Sequence, residues 1–157
     1  MLLIKERLLR REKLRKVLYI VIALSLPIFL VTSCCENVNT KLDYTKWFLR
    51  SYGEENNLTS IIDGTEITAT FISEDDRMIG SAGCNTYFAN YEIDGKQLSI
   101  NEMSYTEMAC QLPEGIMEQE QDFLLLLRDF RSFEADGTTL TIFCKGGLQL
   151  YFTTATR

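Results

Sequence analysis

Five thiols, a scatter of carboxylates and no imidazole define the chemistry open to this 157-residue chain. Without histidine there can be no Ser-His-Asp or Cys-His nucleophile pair and no histidine-bound zinc. Glu102 and Glu107 come closest to an acid–base pair, yet nothing in their spacing sets them face to face. Glu74-Asp75-Asp76 could attract a cation. Three consecutive acids cannot wrap one ion unaided, however, and no calcium-loop spacing follows, so a solvated turn is expected. These residues point to no catalytic group, metal set or cofactor.

The thiol with the strongest chemical context is Cys34. It follows Val31-Thr32-Ser33 at the end of an uncharged run from Val17 to Val31. Ahead of that run stands a basic head with Lys5, Arg7, Arg10, Arg11, Lys13, Arg15 and Lys16 against Glu6 and Glu12. The apolar stretch would make roughly 22 Å of helix, short of the roughly 30 Å hydrocarbon core, and the form is that of a secretory signal. Small residues before the thiol suit a bacterial lipoprotein peptidase. Residues 1–33 are therefore expected to be a signal peptide, Cys34 an acylated first residue, and 34–43 a polar tether to a domain at 44–157. Two or three acyl chains would hold the protein on a membrane where one alone holds marginally. Cys35, rather than aspartate, follows the lipidated position, which favours the outer membrane of a two-membrane envelope.

Removing that leader leaves 124 residues, one domain's worth. The whole chain carries −6 and the leader +5, so the remainder carries −11. Such a domain is repelled by phosphate backbones, and nucleic acid is not expected as a partner. Cys35, Cys84, Cys110 and Cys144 would meet an oxidising compartment, where disulfides are the default. Four thiols allow three pairings, and spacing does not choose among them; Cys35, beside the anchor, is the expected odd one out.

The elements that must position these groups are mostly strands. Period-two patterns occur at 44–52, at Glu66–Ser73 with Ile67, Ala69 and Phe71 on one face, and at 87–93, 97–101, 139–145 and 148–153. Gly53–Asn57 reads as a turn, Glu74-Asp75-Asp76 as a hairpin turn, and Asp94-Gly95 and Gly146-Gly147 as tight connections. Between Pro113 and Phe133 the apolar residues Ile116, Phe123, Leu127 and Phe130 recur at helical spacing, with Glu118, Glu120, Gln121, Asp122 and Arg128 forming a polar face. The fold class expected is mainly β: a small antiparallel β-barrel or strongly curved sheet with one α-helix packed on it.

Three stretches in order resemble the META domain, the HslJ-like family of bacterial envelope lipoproteins. They are Gly80-Ser-Ala-Gly-Cys-Asn-Thr-Tyr-Phe88, Met103-Ser-Tyr-Thr-Glu-Met-Ala-Cys110, and the helix with Glu118 and the Phe123–Leu127 run, followed by the Leu140 and Leu148 strands. Trp47 and the Asp63-Gly64 turn fit the family's opening, so the likeness spans roughly 44–153. It implies an antiparallel β fold with one helix and an envelope location linked to stress or drug tolerance, and it implies no agreed catalytic activity. Gly80 and Gly83 would kink the strand before Cys84. Cys84 and Cys110 would then bridge that kink to the segment entering the helix, with Cys84–Cys144 and no bridge as the rivals; the extra Cys144 departs from the family pattern.

An enzyme would need Asp/Glu or a free, thiolate-like Cys84 or Cys110 in the active role; apart from it, two functions compete. One is a membrane-anchored lipoprotein whose domain binds another envelope protein or maintains the envelope under stress, without catalysis. The other is a carrier or sensor of a small apolar ligand in a barrel cavity, with Asn85, Tyr87 and Tyr105 as candidate contacts and Phe88 and Tyr91 nearby. A barrel interior filled by Phe71, Tyr87, Leu98 and Leu150 would speak against the second.

Overall fold

The computed structural model describes residues 42–154. Cys34, Cys35, the leader and residues 34–41 of the expected tether lie outside the described residues. The chain runs through β1 (Lys46–Glu54), β2 (Asn57–Ser60), β3 (Thr68–Ile72), β4 (Arg77–Ser81), β5 (Thr86–Asp94) and β6 (Gln97–Tyr105). It then forms the helix α1 (Ile116–Arg128), followed by β7 (Phe130–Ala135), β8 (Thr139–Cys144) and β9 (Leu148–Thr153).

All ladders between named strands are antiparallel. β1 bonds β3 through Lys46–Phe48 and β9 from Phe48 to Glu54, with a bulge between Leu49 and Ser51. The first strand thereby joins the last, and the ring β1-β3-β4-β5-β6-β7-β8-β9 closes as an eight-stranded barrel. β2 stands outside the ring, hairpinned onto the far end of β1. Closure removes most sheet edges. One seam is thin: β6 meets β7 only at Gln97↔Ser132, with Phe133 N–H donating to the Lys96 carbonyl at 3.0 Å. α1 packs against β6 beyond that point.

The inward faces of the strands and one face of α1 make a single core. Trp47, Phe71, Tyr87, Phe123, Phe130, Phe133 and Phe152 are fully buried in it. Burying a large apolar side chain contributes about 1.5–3 kcal/mol, so these rings dominate the domain's stability. Phe71 meets Tyr91 edge-on at 5.3 Å and Tyr87 meets Phe123 at 5.5 Å, tying β3 to β5 and β5 to the helix.

The expected fold class is the observed one, with four local corrections. The domain begins before residue 44: Leu42 is fully buried, its carbonyl accepts from Trp47 Nε1 at 3.4 Å, and Asp43 Oδ1 accepts from Ser73 N–H at 2.9 Å. Gly53 and Glu54 belong to β1 and Asn57 opens β2, so the expected turn shrinks to Glu55-Asn56. β6 runs on to Tyr105, with a bulge opposite Asn90 and Tyr91. The helix stops at Arg128, and Phe130 and Phe133 lie on β7, not on a helix. A bulge between Phe130 and Ser132 lets both rings face inward three residues apart, and that spacing imitates a helical stripe.

Candidate functional site

The chemistry-bearing residues of the two signature stretches converge at one end of the barrel, where β4 turns into β5 and the chain leaving β6 crosses toward α1. Gly80 is required for local packing. A Cβ there would sit 1.9 Å from the Thr68 carbonyl oxygen and 2.9 Å from the Tyr87 hydroxyl, so β3 and β4 could not keep their spacing. Thr68 is buried for the same reason: its carbonyl accepts from Tyr87 Oη at 2.8 Å and its Oγ1 from Ser81 N–H at 3.0 Å. Gly83 follows at φ 118, a conformation L side chains seldom adopt, and turns the next two N–H groups inward.

Those two N–H groups, of Cys84 and Asn85, donate to Glu120 Oε2 at 3.0 and 2.6 Å. Successive backbone N–H groups form an anion-binding nest, and here its occupant is the protein's own carboxylate. Glu120 Oε1 accepts from Asn85 Nδ2 at 2.6 Å, and the whole side chain is buried. Asn85 Nδ2 also donates to the Met108 carbonyl at 3.0 Å, while Oδ1 accepts from Thr106 Oγ1 at 2.8 Å and Met108 N–H at 2.7 Å. A carboxamide has two donors and two acceptor sites, and all four are used inside the fold. Gln119 does similar work one residue earlier: its Oε1 accepts from Ile62 N–H at 2.6 Å and its Nε2 donates to Thr65 Oγ1 at 3.0 Å. The Cys84–Cys110 disulfide closes over this network across a separation of 26 residues. It realises the expected bridge and removes the rival Cys84–Cys144.

The candidate ligand contacts are thus dispersed in role. Asn85, 2% exposed, is saturated with internal bonds, and Tyr87 is wholly buried with its hydroxyl on β3. Tyr105, 42% exposed, faces solvent beside α1. The four aromatic residues do not share one groove: Tyr91 points inward and Phe88 outward. Tyr91 Oη is buried without a hydrogen-bond partner among the described residues. Burial first, then Asp43 and Asp76, push this hydroxyl's pKa up to about 12. Phe71, Tyr87, Leu98 and Leu150 are all buried in the barrel core.

The remaining candidates fall on the surface or in the core. Glu102 sits on the outer side of β6 and accepts from Asn90 Nδ2 at 3.2 Å, while Glu107 is exposed beyond the strand's end. Glu74, Asp75 and Asp76 form the β3–β4 turn. Cys144 is a free, buried thiol whose pKa burial raises to about 12, which keeps it protonated and unreactive.

Sequence reasoning missed Gln119, which it did not single out, and Glu120, which it placed on the polar face of the helix. The signal was present: they stand three and four residues after Ile116 and before Phe123, on the stripe that faces the barrel. A polar pair on an apolar stripe marks a buried network.

A closed antiparallel barrel with one helix, clamped by a Gly-Cys-Asn loop and a helical glutamate, defines the class of this fold. The chain belongs to the META domain family, whose model matches residues 40–157. Its structure is similar to a protein from Burkholderia xenovorans solved by NMR, at TM-score 0.63 and 26% identity over 77% of this chain and 88% of the other. It is also similar in fold to the crystal structure of a DUF4847 family protein from Bacteroides vulgatus, at TM-score 0.56 and 17% identity over 76% and 99% of the two chains. No curated protein matches the chain.

Proposed function

We propose that this chain is an envelope lipoprotein, anchored through acyl chains on Cys34, whose acidic META domain acts by binding another envelope protein rather than by catalysis. The observation that carries the reading is the fate of the signature. Asn85, Glu120 and the Cys84–Cys110 pair, the residues that look most like a reactive cluster, spend their polar atoms and thiols on holding loop, β6 and α1 together. A domain built this way presents a rigid surface, which suits recognition. The leader and Cys34 support the anchor on sequence grounds, and a role in envelope maintenance under stress follows from the family resemblance.

Mass spectrometry of the chain expressed in a bacterium tests the anchor. The expected mass begins at residue 34 with acyl groups on the sulfur, and Cys34→Ser abolishes both processing and membrane association. An intact leader, or a bare Cys34 in the membrane fraction, overturns the proposal. Cross-linking in intact cells tests the partner: a recurrent envelope protein is expected, and its persistent absence counts against the recognition role.

A further inference from the structure

The ring of ladders is interrupted along one side of β6. Its other side is paired with β5 throughout, from Asp94↔Gln97 to Tyr87↔Tyr105. Thr106 N–H donates to the Thr86 carbonyl at 3.0 Å, which fixes the alternation of the antiparallel pattern. One residue back, the N–H and C=O of Tyr105 therefore point away from β5, and those of Met103 do the same. Beyond Gln97↔Ser132 no strand meets this side. Among the described residues, no backbone hydrogen bond engages these groups from that direction.

A groove of about 360 Å³ opens at the Tyr105 end of this edge, lined by Tyr105 from β6 and by Met117, Glu120, Gln121, Leu124, Leu125 and Arg128 from α1. Leu125 is 53% exposed on its wall. The stretch from Gln97 to Arg128 is strongly acidic, with Glu102, Glu107, Glu114, Glu118, Glu120 and Asp122 against the single base Arg128. Five of those acids are exposed and one, Glu120, is buried in the signature network.

We infer that this edge and its groove are the recognition surface, and that the occupant is an extended basic segment of a partner protein, added to β6 as a further strand. The inference rests on the interaction role proposed above and names its site. Unpaired strand edges are templates for strand addition, in which main-chain bonds supply affinity and alternate side chains supply specificity. A segment of about six residues spans the roughly 20 Å from Ser99 to Tyr105. Its alternate apolar side chains would meet Leu125 and Tyr105, and its lysines or arginines would meet the exposed Glu102 on β6 and Glu107 just past its end. A second copy of this chain is a poor occupant, because it would bring Glu102, Glu107 and a like-charged domain against one another.

The test uses the full chain in detergent micelles and a synthetic peptide of about eight residues alternating lysine with valine. Binding is expected to slow amide exchange at Met103 and Tyr105 by at least about tenfold and to weaken as salt rises. A peptide of the same composition with the alternation scrambled should bind at least about tenfold more weakly. Met103→Pro removes one edge-facing donor without touching the β5 ladder and should weaken binding by a similar factor. Should that variant misfold, N-methylation of the peptide at the residues facing β6 gives the same loss with the protein unaltered. Equal binding of the scrambled peptide, protection confined to residues outside β6, or concentration-dependent dimerisation abolished by Met103→Pro would each overturn the inference. Acylation of Cys34 is read independently by mass, so failure of the anchor and failure of strand addition are distinguishable.

Discussion

The two sides of the barrel are held together by different means. From β7 through β8 and β9 to β1, long ladders and alternating apolar side chains carry the structure, with side-chain polar contacts such as Arg50 Nε donating to Thr153 Oγ1 at 2.8 Å and the exposed Lys46–Glu66 pair added to them. From β4 through β5 and β6 to α1, the ladder fails at the β6–β7 seam. A buried carboxylate, a saturated carboxamide and a disulfide hold the elements instead. Where backbone pairing stops, the chain substitutes side-chain bonds that work at one geometry only. That explains why the family resemblance is densest there: a ladder accepts any residue that fits a pleat, whereas a nest accepts little besides its own carboxylate.

The sharpest way to break this contrast is Glu120→Ala. It leaves the N–H groups of Cys84 and Asn85 and one Asn85 Nδ2 proton without partners, and should cost about 3–5 kcal/mol in urea unfolding. A loss under about 1 kcal/mol would show that the nest does not support the fold. Next, replacing Cys84 and Cys110 by serine should cost about 3 kcal/mol, from the chain entropy regained by a loop of this length. Comparison of melting with and without reductant checks it, and indifference to reductant would place the burden on the hydrogen bonds alone. On the ladder side the same logic predicts little. The Lys46–Glu66 pair spans 2.9 Å between side chains more than half exposed, so Lys46→Ala should change stability by less than about 0.5 kcal/mol.

The smallest effect concerns the β7–β8 turn and appears only in acid. Asp136 accepts from the backbone N–H groups and hydroxyls of Thr138 and Thr139, and these bonds, those of the Thr139 backbone first, hold its carboxyl well below the usual carboxylate range. The folded pKa lies below the unfolded one, so the contribution is complete above about pH 4 and is lost as pH falls toward the folded value. Asp136→Asn should flatten that acid limb in a pH series of thermal melts; an unchanged limb would assign it to other carboxylates.

Much of this was legible in the amino-acid order because strand periodicity and hairpin turns are local signals. Ile67, Ala69 and Phe71 face inward as their alternation requires, and Glu74–Asp76 turn where three acids favour solvent. Three features were not legible, each because a distant residue decides it. The i, i+3 spacing of Phe130 and Phe133 reads as helix until β8 imposes a bulge. β2 has an exposed pattern with no apolar face to detect, and it exists only because β1 offers an edge. Glu120 reads as solvent-facing until the Gly83 kink aims two N–H groups at it. The Cys84–Cys110 pairing came from likeness to a family, since spacing left it open.

Joining Phe48 to Thr153 sets the timing of assembly. The ring cannot close until β9 is available, and until then β1 and β8 each wait with an unmatched side. Such long-range pairing slows folding relative to fragments whose contacts are near in sequence. Loss of β9 would therefore leave two strand edges bare at once, on β1 and on β8.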